Sequence, residues 1–223
     1  MEVNEVMSRL QGLVESGTRE SMAHLGINTE HALGVRVPAL RTLAKEIGTD
    51  HPLAQALWQS GVHEARILAT MVADPHQTDG DLMEAWVNDL NSWDLGDQCC
   101  ANLFWQVTEA WDKAVVWAGR DEEFPRRAGF ALMATLALHH KTAADADFEP
   151  FFPCIEAGAS DIRERVRKAV SWALRQIGKR SRPLNERALA VAEALLAQES
   201  QAAHRLGREA RVELESELVQ GRL

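Results

Sequence analysis

The chain has 223 residues, 46% of them hydrophobic, so it is long enough to bury a full core and is not disordered. Its formal net charge of −9 argues against a general nucleic-acid binder. The charge is uneven, however: residues 70–124 hold twelve acids and two bases, whereas residues 125–187 hold twelve bases and seven acids. One side of the molecule can therefore be positive enough to contact phosphates, with a steep dependence on salt.

The N-terminal residues MEVNEVMSRLQGL have acids where a signal peptide needs cations, and no apolar run follows them. No stretch approaches the roughly 18 apolar residues of a membrane span. The three cysteines, Cys99, Cys100 and Cys154, fit neither a disulfide framework nor a zinc site. We therefore expect a cytoplasmic, monomeric protein without metal or membrane contacts.

Apolar residues recur at three- and four-residue spacing along the whole chain and no strand pattern occurs, which predicts an all-α fold. Long helical segments begin at His63, Asp94, Glu123 and Asp161, and are 31, 29 and 38 residues apart. Each follows a shorter helix, at 52–59, 79–90, 109–118 and 147–156 respectively. Helix pairs at this interval are typical of an α-solenoid of the HEAT or armadillo kind. A helical bundle is the alternative.

We expect residues 1–223 to form a single repeat domain. The region from about residue 190 to the end alternates acids and arginines around leucine and valine. This pattern predicts terminal amphipathic helices that cap the array or bind a partner.

The segment SWDLGDQCCANLFW, residues 92–105, places Trp93 and Asp97 on one stripe of a helix together with apolar residues. A carboxylate in such surroundings is costly to keep ionised unless a cation meets it. The neighbouring Asp94 has the position of a helix N-cap. Asp97 is therefore a candidate for chemistry, the alternative being a structural ion pair with an arginine of the next repeat.

In the segment EEFPRRAGFALMA, Arg126 and Arg127 are expected in the first turn of a helix opened by Pro125. Cations are unfavourable at a helix N-terminus, so an arginine pair there suggests a carboxylate or phosphate partner. The alternative is a pair of surface arginines.

The segment from Asp161 to Lys179 predicts a helix with two different faces. A tryptophan lies among four cations on one stripe, and valine, alanine and isoleucine occupy the opposite side. The stripe suits a nucleic-acid backbone, with phosphates on the cations and a sugar or base on the indole. The alternative is a soluble helix whose tryptophan packs on a neighbour. The stripe consists of Arg165, Lys168, Trp172, Arg175 and Lys179.

Three motifs, in this order on successive repeats, resemble the AlkD-type DNA alkylation repair glycosylases: Trp93-x-x-x-Asp97, Arg126-Arg127-Ala128 and Lys168-Ala169-x-x-Trp172-Ala173-Leu174-Arg175. The segments HEARILA at 63–69 and VRVPALRTLAKEIG at 35–48 are also similar, and the resemblance covers about residues 30 to 185. It implies a HEAT-like solenoid with double-stranded DNA on its concave face. By the match, Trp93, Asp97, Arg127 and Trp172 are the candidate active-site residues.

The resemblance further implies excision of cationic N3- or N7-alkylated purines, without a cofactor, a metal or a pocket for an extruded base. Asp97 would stabilise the developing sugar cation, and the two tryptophans would hold the sugar. Arg127 would contact the adjacent phosphate. Two other functions fit the sequence: a non-catalytic binder of unusual or branched DNA, and a protein-binding solenoid.

Overall fold

The computed structural model describes residues 1–223 and consists of helices and their connections, without any strand. The α-helices are α1 (Val3–Gly12), α2 (Thr18–His24), α3 (Val37–Ile47), α4 (His51–Gln59), α5 (His63–Val72), α6 (Gly80–Asn88), α7 (Trp93–Asn102), α8 (Ala110–Ala118), α9 (Glu123–His139), α10 (Phe151–Gly158), α11 (Glu164–Gly178), α12 (Arg182–Leu196), α13 (Gln201–Leu214) and α14 (Glu217–Gln220). Short 3-10 helices span Pro75–Gln77, Phe104–Gln106 and Asp145–Phe148. The chain folds into two compact units, residues 1–108 and 109–223.

In the first unit, α5 is the central helix and packs against α3, α4 and α7. Helices α4 and α6 each follow an N-cap aspartate, Asp50 and Asp79, whose side chain accepts a backbone N–H, from Leu53 and Leu82 respectively. The rings of Trp58 and Trp86, one from each helix, stack in the core with centroids 4.1 Å apart. Both tryptophans are almost fully buried, so they stabilise the unit rather than offer a surface.

In the second unit, α9 packs against α8 and α11, and α13 covers both α11 and α12. The contact between α8 and α9 depends on Gly129. A Cβ at this position would lie 2.4 Å from the backbone nitrogen of Ala118 and 2.9 Å from the carbonyl oxygen of Ala114. Only glycine allows the two helix backbones to approach this closely.

The predicted all-α fold is confirmed, and α5 and α9 begin at the predicted residues, His63 and Glu123. Other boundaries differ, those of α4, α6 and α8 by one or two residues at their ends. Helix α7 begins one residue early, at Trp93, and the segment 147–156 divides into a 3-10 turn followed by α10. Helix α11 begins at Glu164 rather than Asp161, because the Asp161 carboxylate accepts the backbone N–H of Arg163 and closes a turn before the helix.

None of the helices is both long enough and apolar enough to cross a membrane.

Candidate functional site

The first predicted site residues, Trp93 and Asp97, lie one turn apart on α7 and are both half-buried. The face of α7 that includes Leu95 and Cys99 is completely buried and fixes the helix in the first unit. The indole Nε1 of Trp93 donates a hydrogen bond to the carbonyl oxygen of Leu25, at 3.1 Å. The ring of Trp93 is therefore held in a defined orientation next to the turn that carries Asp97.

The sequence predicted Asp94 as the N-cap of α7. In the structure Ser92 holds that position, and Asp94 lies in the first turn of the helix. One Asp94 carboxylate oxygen lies 2.9 Å from Nε2 of His63, and the other accepts a hydrogen bond from Ser92 Oγ at 2.5 Å. Burial alone would raise the pKa of the Asp94 carboxyl group. The hydrogen bond and the charge of His63, together with hydrogen bonds from Ser92 and the Leu95 N–H, outweigh burial and lower that pKa below its usual value. This contact ties the start of α7 to the start of α5.

Glu64, the residue after His63, stabilises the connection between α2 and α3. The Glu64 carboxylate is fully buried and accepts three backbone hydrogen bonds: Oε2 from Leu33 at 2.8 Å, and Oε1 from Gly34 at 2.7 Å and Val35 at 3.2 Å. Its donors belong to the same connection, residues 25–36, that supplies the acceptor for Trp93. The Glu64 carboxylate thus organises the backbone against which α7 rests.

The supporting roles of His63 and Glu64 were not predicted from the sequence. The two residues open the HEARILA segment, which indicates only the start of a helix and a family resemblance. The available signal was an ionisable pair at the start of a largely apolar helix, where buried polar groups need specific partners.

In the second unit, Arg126 and Arg127 lie in the second turn of α9, because the helix begins at Glu123 and includes Pro125 as its third residue. Proline is tolerated there since the first backbone N–H groups of a helix have no intrahelical partner. Arg126 Nε lies 3.1 Å from an Asp161 carboxylate oxygen, and its NH1 donates to the carbonyl oxygen of Arg120 at 3.2 Å. The Arg126 guanidinium is therefore engaged within the protein, and its contact with DNA stays a prediction.

Arg127 is largely buried, with 8% of the residue exposed. Its NH1 donates to the backbone carbonyl of Arg165 at 2.5 Å, which links α9 to the first turn of α11. The Arg165 side chain is 42% exposed and lies 3.8 Å from the Glu123 carboxylate. The structure thus brings the predicted phosphate contact Arg127 next to the first cation of the α11 stripe.

A second pair of arginines, not predicted as functional, holds the turn before α11. The Arg163 guanidinium binds the Asp161 carboxylate and the carbonyl oxygen of Asp121. Arg167 donates to the carbonyl oxygens of Asp161 and Ile162, both at 2.8 Å. The hydrogen bond from Arg163 lowers the pKa of Asp161 below its usual value, although burial opposes the shift. This network fixes the direction in which α11 leaves its turn.

Helix α11 has the two faces that the sequence predicted. The side chains facing inward are completely buried, namely Val166, Val170, Ala173 and Ile177. On the other face Trp172 is half-buried, and Lys168 extends into solvent with 72% of its side chain exposed. The Gln176 side-chain amide is assigned with its oxygen toward Trp172 and Lys179. In this orientation the oxygen accepts hydrogen bonds from Trp172 Nε1 at 3.3 Å and from Lys179 Nζ at 3.1 Å. The indole of Trp172 is therefore oriented by a polar neighbour on its own helix.

The remaining two cations of the stripe meet an acid from the C-terminal region. Glu213 on α13 accepts hydrogen bonds from Arg175 NH1 at 2.5 Å and from Lys179 Nζ at 2.6 Å. Burial raises the pKa of Glu213, but the hydrogen bonds and charges of these two cations outweigh it and lower the pKa. The sequence predicted that the C-terminal helices cap the array or bind a partner, and their pairing with this stripe is not visible in the sequence pattern.

No group of three or more His, Cys, Asp or Glu side chains is placed to hold a metal ion. Cys99 and Cys100 are completely buried, and burial raises the pKa of the Cys99 thiol. These two cysteines are therefore core residues.

The predicted site residues fall into two groups. Trp93 and Asp97 lie together on α7 of the first unit. The second unit carries the others: Arg126, Arg127, Arg165, Lys168, Trp172, Arg175 and Lys179.

Residues 6–211 match the protein family described as DNA alkylation repair enzyme. Among solved structures, the chain is similar to a member of a new family of proteins related to the HEAT-like repeat DNA glycosylases with affinity for branched DNA structures. That match has a TM-score of 0.80 and 21% identity, and covers 100% of this chain and 96% of the other. It confirms the predicted HEAT-like repeat fold.

A designed armadillo repeat protein in complex with the peptide (KR)4 is a more distant match, with a TM-score of 0.41, 14% identity, and coverage of 93% of this chain and 98% of the other. No curated protein matches the chain.

Proposed function

We propose that this chain, which belongs to the DNA alkylation repair enzyme family, is a glycosylase that removes cationic N3- or N7-alkylated purines from duplex DNA. The observation that carries the proposal is the outer face of α11. There Trp172 lies half-buried among cations, while the opposite face is completely buried. A face of this composition suits a sugar-phosphate backbone, because the cations meet phosphates and the indole meets a sugar or base.

In this proposal Asp97 is the catalytic carboxylate. An alkylated purine that carries a positive charge is already a good leaving group, so the main requirement is to stabilise the sugar as it becomes an oxocarbenium-like cation. A carboxylate held at a fixed position next to the sugar provides that stabilisation and can orient the attacking water. The fixed position of α7, which rests on the contact between Asp94 and His63, supports this role.

Trp93 and Trp172 would hold the sugar and favour its growing positive charge through their π faces. Hydrogen bonds to Leu25 and Gln176 orient the two indoles, so little order has to be created on binding. Arg127, held against the first turn of α11, would contact the phosphate adjacent to the lesion. Lys168 and the other stripe cations would contribute sequence-independent attraction to the backbone.

The test is the release of free alkylated base from methylated duplex DNA, with enzyme in excess and one turnover per site. The proposal predicts single-exponential release of N3-methyladenine, N7-methylguanine or both, above the spontaneous loss in a sample without protein. Release that equals spontaneous loss, from protein that binds the same duplex, would contradict the glycosylase activity.

A second candidate is non-catalytic binding of branched DNA. It is favoured by the similarity to the solved protein whose family has affinity for branched DNA structures. Titration of the protein with a four-way junction and with a linear duplex of the same sequence distinguishes the candidates. Preference for the junction together with no base release would favour this second function.

A further inference from the structure

We propose that Glu213 on α13 competes with DNA phosphates for Arg175 and Lys179 and so weakens the electrostatic, sequence-independent binding of DNA. The inference rests on the proposed function, since it assumes that the outer face of α11 contacts DNA. It concerns the C-terminal helix, to which the sequence assigned only capping or partner binding.

The Glu213 carboxylate bridges Arg175 and Lys179, the two cations at the end of the stripe. One carboxylate oxygen accepts from Arg175 NH1 at 2.5 Å and the other from Lys179 Nζ at 2.6 Å. A phosphate group presents two oxygens to a guanidinium and an ammonium group in the same way. Glu213 is therefore positioned as an intramolecular substitute for the ligand that these cations would otherwise bind.

The pairing leaves the site receptive to DNA. Two cations share one carboxylate, so the cluster keeps a net charge of about +1 and still attracts a phosphate. The three side chains are 28–32% exposed, so water and ions reach them and the pairs can be replaced. DNA that contacts this part of α11 must displace Glu213 before it gains either cation.

The stripe thus contains two classes of cation. Lys168 is 72% exposed, and its partner Glu164, one turn away on the same helix, is 69% exposed. Such a pair contributes little and leaves Lys168 available for an early encounter with DNA. Arg175 and Lys179 become available only when DNA displaces Glu213. This displacement reduces the contribution of phosphate contacts to the binding free energy.

The attachment of α13 does not depend on the charge of Glu213. The face of α13 that packs on the unit is apolar and buried, with Leu206 3% exposed and Ala210 and Leu214 completely buried. Leu214 packs so closely that a Cβ on Gly178 of α11 would lie 2.8 Å from its Cδ2. A Glu213→Gln variant should therefore remove the competing charge while α13 stays in place.

The experiment measures binding of the full chain to an undamaged linear duplex as a function of salt, for Glu213→Gln and for the matched control Glu215→Gln. Glu215 is 57% exposed, lies 3.9 Å from Arg211 and carries the same charge. Each phosphate contact restored by Glu213→Gln should steepen the log–log salt slope by about 0.9 and raise affinity roughly eight-fold at 0.1 M salt. The control should show neither change.

A second comparison does not depend on whether Glu213→Gln lowers thermal stability. In a background with Arg175→Gln and Lys179→Gln, the further change Glu213→Gln should leave the salt slope unaltered, because no cation remains to be released. Equal slopes for Glu213→Gln and Glu215→Gln, in protein that binds DNA, would overturn the inference and leave the proposed function intact. Absence of DNA binding in every variant and in the unmodified chain would overturn both.

Discussion

Replacing Glu64 by glutamine tests how the first unit holds the α7 site. The carboxylate accepts three backbone N–H groups, two on Oε1 and one on Oε2, and is completely buried. A glutamine has one carbonyl oxygen, so even in its better orientation its NH2 group faces the N–H of Leu33. One charge-assisted hydrogen bond is lost and one buried donor is left unsatisfied, each worth about 1–3 kcal/mol.

Because the two costs overlap in part, we expect Glu64→Gln to lower the free energy of unfolding by about 2–4 kcal/mol. For a chain of this size that corresponds to a fall in Tm of roughly 5–15 °C. The assay is thermal unfolding followed by circular dichroism, with Glu30→Gln as the control, since the Glu30 side chain is 73% exposed. A loss in Glu64→Gln no larger than that of the control would refute the reasoning.

Two further predictions concern charge. Lys168→Ala should make the salt dependence of DNA binding shallower, by about 0.9 in the log–log slope of affinity against salt concentration. Titrations of DNA binding at several salt concentrations measure this slope. An unchanged slope would mean that this face of α11 does not contact phosphates. Asp94→Asn should cost stability at neutral pH and progressively less in acid. The folded-state pKa of Asp94 is lowered, so its contribution is present above the unfolded pKa and is lost as pH falls through the folded pKa. Urea unfolding of both proteins between neutral and acidic pH measures the difference, and a gap that does not narrow in acid would contradict the assignment.

The fold followed from the sequence because helix pairs leave a clear periodic pattern. The predicted starts of successive long helices at His63, Asp94 and Glu123 are 31 and 29 residues apart. Helices α5 and α9 begin at His63 and Glu123, as predicted. The errors in the predicted boundaries lie at helix ends, where side chains compete with the helix for hydrogen bonds to backbone groups. At Asp161 the carboxylate binds the N–H of Arg163 and delays α11 to Glu164.

The site was predictable only in part. The buried and outward faces of α11 follow from helical spacing alone, and the structure has both. Periodicity does not indicate which distant residue meets an outward side chain, so the pairing of Glu213 with Arg175 and Lys179 could not be derived. The same holds for the contact between His63 and Asp94, which joins residues 31 positions apart.

In the proposed mechanism the charge of Asp97 stabilises the transition state, and the variant Asp97→Asn isolates the effect of that charge. The change keeps the size and hydrogen bonding of the side chain but removes its charge. We expect single-turnover base release to fall by about 10²–10³-fold, or about 3–4 kcal/mol, with little change in affinity for lesion DNA and in Tm. If the charge is structural instead, Tm should fall because a cation loses its partner. Full excision by a folded Asp97→Asn protein would contradict the account.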